Sequence, residues 1–168
     1  MKRFLTSIVV LLGTIAAGLG QSASRPALRP DLTGVWKLNV AQSDFGQVPP
    51  PRQQSESILQ AGEEFAISIT LEREDLKQNY TLRFRAGGAP SPLAAGSFTD
   101  DAPFRILSVK GEWQGQTLVV TEAVNFQGSE GTLTVRYTLS ANGKTLTKLT
   151  HVAMSTGEFD TRTVYDKQ

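Results

Sequence analysis

The chain has 168 residues, with 17 Lys and Arg against 16 Asp and Glu, one His and no Cys. That length suits one domain, and the missing cysteines exclude a disulfide framework, a cysteine nucleophile and a zinc site of the usual nitrogen–sulfur type. The near-neutral balance excludes a strongly basic face for nucleic acid or an anionic membrane.

In chain order, the first feature is a leader. Met1-Lys2-Arg3 is basic, residues 4–24 carry no charge, and Leu5 to Leu19 is mostly Leu, Ile, Val and Ala. Small residues follow at Gly18, Gly20 and Ala23. A basic head, a short apolar run and a small-residue exit are the three parts of a secretory signal peptide, expected over residues 1–23 with cleavage near Gly20 or Ala23. The run is short for a membrane span, so the mature chain is expected to carry no transmembrane segment. Lys2 and Arg3 leave with the leader and no acidic residue does, so the remainder carries one net negative charge. Residues 24–31, with Pro26 and Pro30, read as a flexible lead-in to a domain over 32–168.

Beyond the lead-in the hydrophobic period is two. Phe65, Ile67, Ile69 and Leu71 alternate with polar or small residues; so do Tyr80, Leu82 and Phe84, and then Leu133, Val135, Tyr137 and Leu139. Such alternation marks strands with one buried face. Weaker strand patterns cover 34–40, 55–60, 104–113, 117–125, 144–152 and 159–165, and a short helical turn fits 41–45. Gly62, Gln114-Gly115-Gln116, residues 127–131 and Ser140-Ala141-Asn142-Gly143-Lys144 supply the turns, Asn142-Gly143 being the strongest hairpin signal. Short connections imply antiparallel neighbours. Two connections are long, 40–54 with Pro49-Pro50-Pro51, and 86–103, rich in Gly, Ala and Pro; loops of this length are often lids or plain connectors.

No catalytic set stands out. His151 has no Gly-x-Ser-x-Gly serine elbow to serve, and reads as a structural or surface histidine. The acidic groups Glu63-Glu64, Glu72 to Asp75, Asp100-Asp101 and Asp160 fall at strand ends or in loops, as solvated charges do. Asp100-Asp101 follows no calcium-loop spacing, and Gly87-Gly88 no phosphate-loop pattern. The expectation is therefore a protein that is not an enzyme, with no metal and no cofactor. The aromatic residues on inward faces either fill a core or line a ligand site, since a barrel of about eight strands stands at the crossover between the two.

The segment Asp31-Leu32-Thr33-Gly34-Val35-Trp36-Lys37-Leu38-Asn39, then Ser43-Asp44-Phe45-Gly46 and a proline run, resembles the opening of small exported lipocalin-like proteins of bacteria. The hairpin 139–146 and the terminal Val164-Tyr165-Asp166-Lys167-Gln168 are similar to the closing part of that group. The resemblance implies an all-β, antiparallel, up-and-down lipocalin-like barrel of eight or nine strands, exported to the periplasm or beyond. It also implies Gly34 and Trp36 as a cap at the closed end, with Arg162 over the Trp36 ring, and the 40–54 loop over the open mouth. The chain lacks that family's Thr-Asp-Tyr motif and disulfides, and it lacks the Arg-x-Tyr carboxylate clamp of fatty-acid-binding barrels: Arg162 and Tyr165 are three apart and face opposite ways. The expected partner is one small hydrophobic or amphipathic molecule, with no nucleic acid, bound by a monomer and lined by Phe65, Ile67, Tyr80, Leu82, Phe84, Val135 and Tyr137. The rival expectation is a solidly packed structural or protein-interaction module.

Overall fold

Residues 29–74, 77–94, 96–98 and 102–168 are described by the computed structural model. The expected signal peptide, the first part of the lead-in and Asp100-Asp101 lie outside the described residues. The alternating segments form β1 (Gly34–Leu38), β2 (Gln53–Ala61), β3 (Glu64–Glu72), β4 (Lys77–Arg85), β6 (Phe104–Gln114), β7 (Thr117–Phe126), β8 (Ser129–Leu139), β9 (Thr145–Met154) and β10 (Gly157–Lys167). A tenth strand, β5 (Ser91–Pro92), lies inside the expected loop 86–103. The barrel thus has ten strands, not eight or nine. β5 escapes a pattern search because two residues cannot alternate, and its proline is tolerated because β5 is an edge. The expected helical turn is a single 3-10 turn at Val40–Gln42, capped by the Asn39 side chain.

All ten strands belong to one antiparallel sheet in the order β4-β3-β2-β1-β10-β9-β8-β7-β6-β5. The sheet curls until its two margins meet. There Ala86 bridges Gly111 and the Gly87 N–H donates to the Gly111 carbonyl at 2.8 Å. The result is a nearly closed up-and-down barrel, joined between β4 and β6 at one end. Near the other end Leu93 and Phe98 pack on the core at the margin, Phe98 lying 5.2 Å from Tyr80 and 6.3 Å from Phe104 between ring centroids. Register slips between Ile106 and Ser108, so that Ile106 and Val109 both point inward while Leu107 points out.

One end is a floor. Trp36 is fully buried, and its indole N–H donates to the Leu32 carbonyl at 3.0 Å. Leu32, also fully buried, donates its N–H to Gln60 Oε1, and the Gln60 amide donates to the Pro30 carbonyl. Residues 30–32, partly within the expected lead-in, are thereby tied across the barrel end. Phe65 stacks on Phe84 at 5.3 Å and meets Trp113 at 5.9 Å. The cation over the Trp36 ring is Lys167, at 5.2 Å, and not Arg162. Arg162 falls on the outward parity of β10; it is exposed and donates to the Gln42 carbonyl. The 40–54 connection likewise extends the wall, because Asp44 and Arg162 exchange backbone hydrogen bonds where β1 has ended. The Asn142-Gly143 hairpin sits where expected, but only Gly143 takes positive φ; Gly143 N–H donates to Ser140, and Asn142 Oδ1 accepts from the Lys144 N–H. It is a four-residue turn rather than the two-residue mirror-image type.

Gly111 marks the seam. A Cβ there would stand 2.1 Å from the Phe84 ring, so this position has no room for a side chain. Gly111→Ala is expected to cost about 1–3 kcal/mol through overpacking, read as a lower midpoint in urea. A variant as stable as the parent would show that the seam does not need the close approach.

Candidate functional site

The inward-facing side chains divide by height. Around Trp36 most are apolar and fully buried, Ile58, Ile67, Leu82, Leu118, Val120 and Leu146 joining the residues already described, while Leu38, Trp113 and Leu139 keep partial exposure. All seven expected lining residues face this interior. Phe65, Phe84, Ile67 and Leu82 belong to the floor, in direct cross-strand pairs Phe65–Phe84 and Ile67–Leu82. Tyr80, Val135 and Tyr137 face the same interior, Val135 and Tyr137 directly opposite Val120 and Leu118, and Tyr137 flanks a group that alternation alone does not reveal.

That group is a buried polar cluster. Glu56 on β2 is 0% exposed, Glu122 on β7 is 5% and Lys148 on β9 is 9%. Each occupies an inward position among apolar neighbours: Glu56 two before Ile58, Glu122 between Val120 and Val124, Lys148 two after Leu146. Lys148 Nζ donates to Glu56 Oε1 and lies 5.0 Å from the centroid of the Tyr137 ring and 5.5 Å from that of Tyr165. The lysine is therefore fully engaged, by an ion pair and by two ring faces. Gln54 Nε2 reaches the same carboxylate at 3.5 Å. Glu56 Oε2 and the Tyr165 hydroxyl are both buried, and the phenol stands within hydrogen-bonding reach of the Glu56 carboxylate and of Thr163.

Burial sets the charge state of the cluster. It pushes the Glu122 carboxyl up to about 7, against the pull of Lys148 and with a further push from Glu56. It also raises the phenols of Tyr80, Tyr137 and Tyr165 well above their ordinary value, the Glu56 and Glu122 carboxylates adding to the effect on Tyr80 and Tyr137, and Glu56 to that on Tyr165. At neutral pH the interior thus holds one ion pair, one half-ionised carboxyl and three neutral phenols.

Towards the other end the inward side chains keep partial exposure: Leu71, Tyr80, Phe104, Leu133, Thr150, Val152, Thr161 and Phe159 are all half-buried. Several of these are in the middle of their strands, so solvent reaches them through the mouth. The inward face thus runs from fully buried apolar side chains through a buried polar cluster to half-buried side chains. Two grooves lie outside the barrel interior. One, of about 630 Å³, runs along the outer wall of β2–β4 past Leu59, Ala66 and Arg83; the other, of about 250 Å³, adjoins Pro30 and the 139–143 turn. His151 lies on the outer wall, with Nδ1 2.9 Å from Asp160 Oδ1, well away from the polar cluster. Among the described residues, no cluster of three or more His, Cys, Asp or Glu is placed to hold a metal ion, and no helix is long and apolar enough to cross a membrane.

No protein-family model matches the chain, and no curated protein does. Solved structures do. A secretary abundant heat soluble protein from Ramazzottius varieornatus matches with a TM-score of 0.53 at 13% identity, over 81% of this chain and 94% of its own. The zebrafish ileal bile acid-binding protein, solved with cholic acid, matches with a TM-score of 0.55 at 12% identity, over 82% of this chain and 98% of its own. At such identities the likeness is one of fold: a lipocalin-like, up-and-down barrel.

Two expectations follow. Breaking a buried ion pair from one side strands a charge, at a cost of about 3–5 kcal/mol, whereas replacing both partners by apolar groups is near neutral. Lys148→Met should therefore lower stability to urea strongly, and Lys148→Met with Glu56→Leu should recover most of the loss; a double variant no better than the single would refute the pairing. The second concerns pH. Unfolded Glu122 titrates near 4.5 and the folded group near 7, so the folded chain holds the extra proton between those values and this group's contribution makes stability fall as pH rises through the window. The full penalty is about 3 kcal/mol above pH 7. Glu122→Gln should gain on the parent from pH 5 to pH 8 in parallel denaturations, and parallel curves would contradict the assignment.

Proposed function

We propose that this is an exported binding protein, which holds one small hydrophobic or amphipathic molecule inside the barrel. The observation that carries the reading is the row of half-buried inward side chains from Tyr80 and Leu133 to the mouth, beyond the fully buried residues around Trp36. A barrel built only as a packed core would have no reason to leave apolar mid-strand positions half-buried on its inner side. The neighbour solved with cholic acid supports the reading, as a protein of the same fold whose name declares a bile acid ligand. The leader pattern of residues 1–23 supports export to the periplasm or the outside of a bacterial cell, and the chain acts as a monomer without enzymatic chemistry.

A second reading has one observation in its favour: Leu59, 64% exposed, sits in the outer groove on β2–β4. Exposed apolar surface of that kind marks protein contacts when it is extensive. In this version the barrel is structural and the wall is the working face.

Native mass spectrometry of the protein taken from its producing cell separates these. The expected mass is that of a chain starting after Gly20 or Ala23, carrying one small adduct. Nile red, which is neutral, should light up in the emptied barrel, and Leu133→Trp should abolish the signal by filling the upper interior. A full-length mass would overturn export; a folded protein with neither adduct nor dye uptake would overturn ligand binding.

A further inference from the structure

The sheet ends at β4, and that margin is only partly closed. The Ala86 N–H donates to the Glu63 carbonyl at 2.8 Å, and Gly87 turns its N–H the other way, to Gly111. Main-chain groups alternate sides along an antiparallel strand. Gln78, Tyr80, Leu82 and Phe84 therefore give theirs to β3, and Asn79, Thr81 and Arg83 point theirs away from it. The Arg85 carbonyl, of this second set, is taken by the Gly88 N–H. Among the described residues nothing is hydrogen-bonded to the N–H or carbonyl of Asn79, Thr81 or Arg83, because β4 pairs with β3 alone. The opposite margin is better satisfied: β6 carbonyls at Gly111 and Leu107 accept from Gly87 and Leu93, and β5 pairs with Ser108 and Val109. The groove of about 630 Å³ reaches the β4 margin, with Arg83, Phe84 and Arg85 along it and Ser91 of β5 beyond.

We propose that the free margin of β4 is a docking edge for an extended acidic segment of a partner protein, which joins the sheet as a further strand. The charge of the edge selects this occupant. The outward side chains of β4 are Lys77, Asn79, Thr81, Arg83 and Arg85, with no acid among them. From β3, Glu72 and Glu64 meet Lys77 and Arg85 at 3.3 Å and 2.8 Å; Arg83 has no carboxylate partner among the described residues. An added strand would lie on the far side of β4, about 5 Å from that strand and about twice as far from β3, so the three cations dominate its surroundings. Acidic side chains opposite Arg83 and its neighbours stabilise such a pairing, and basic ones oppose it. The same row disfavours a second copy of this chain, since pairing β4 with β4 sets cations opposite cations or neutral residues. The inference goes beyond the ligand reading, because it uses the main chain and outer side chains of β4 and no space inside the barrel.

Fluorescence anisotropy with two labelled peptides of about seven residues, one alternating Glu with Val and one alternating Lys with Val, tests the edge. The Glu peptide is expected to bind about tenfold more tightly than the Lys peptide at low salt, and Arg83→Glu should reverse the order. Methylating the main-chain nitrogens of the Glu peptide should abolish its binding, which charge attraction alone would not require. Thr81→Pro should abolish it as well and still fold, since the lost N–H makes no bond to β3 and proline is tolerated on edges. If that variant does not fold, the methylated peptide and Arg83→Glu decide the matter. A Glu peptide that binds no better than the Lys peptide, or equally well when methylated, would overturn the proposal. So would dimers of the protein alone in sedimentation that Arg83→Glu or Thr81→Pro removes, because the edge would then belong to a second copy.

Discussion

Closure of the sheet is the constraint on which the rest of the molecule depends. Nine long strands and one two-residue edge form a single curled sheet, and at its seam Gly111 lets the Phe84 ring lie against the β6 backbone. Without that contact the inner face would be one side of an open sheet, wet along its length. With it, the inner face becomes an enclosed volume, and residues far apart in sequence face each other across it. Glu56 and Lys148, 92 residues apart and on strands separated by β1 and β10, meet because the sheet curls.

Enclosure then changes what the polar residues are. On an open sheet Glu122 would be an ordinary solvated carboxylate. Inside the barrel, burial raises its pKa by more than the Lys148 charge can offset. The same enclosure concentrates the field of the Glu56–Lys148 pair, since charges in a low-dielectric surrounding interact far more strongly than in water. A pair so placed contributes little net stability against an apolar core of equal volume. The Tyr165 phenol, buried against the same carboxylate, adds a further polar group that an apolar core would not carry.

The sequence makes the fold legible in proportion to how local its cause is. Phe65 to Leu71, Tyr80 to Phe84 and Leu133 to Leu139 declare themselves as half-buried strands because alternation is a property of neighbours. Ser91–Pro92 is held only by its partner β6, and so leaves no local trace. Arg162 was placeable by parity: it and Trp36 belong to opposite faces of the wall, whereas Lys167, in direct register with Trp36, shares its face. The site was harder to see because a charge at an inward position looks like an interruption of the pattern. Leu118, Val120, Glu122 and Val124 share a parity, and so do Leu146 and Lys148. Read strictly, those parities place charges inside. That Lys148 should find Glu56 rather than Glu122 depends on barrel curvature, which no strand encodes by itself.

The contrast between floor and mid-height bears on what the barrel is for. At the floor every device points the same way: aromatic stacking, the Leu32–Trp36–Gln60 hydrogen bonds and fully buried aliphatic side chains all reinforce one packed arrangement. Beside it, the rules of a good core are broken at once, by an ion pair, a carboxyl with a raised pKa and three buried phenols. Consistent sequences break such rules chiefly where function requires it. The Glu56 carboxylate is the clearest case: Lys148, Gln54 and the Tyr165 phenol all converge on it, a set of polar groups that costs more to bury than an apolar layer of equal volume.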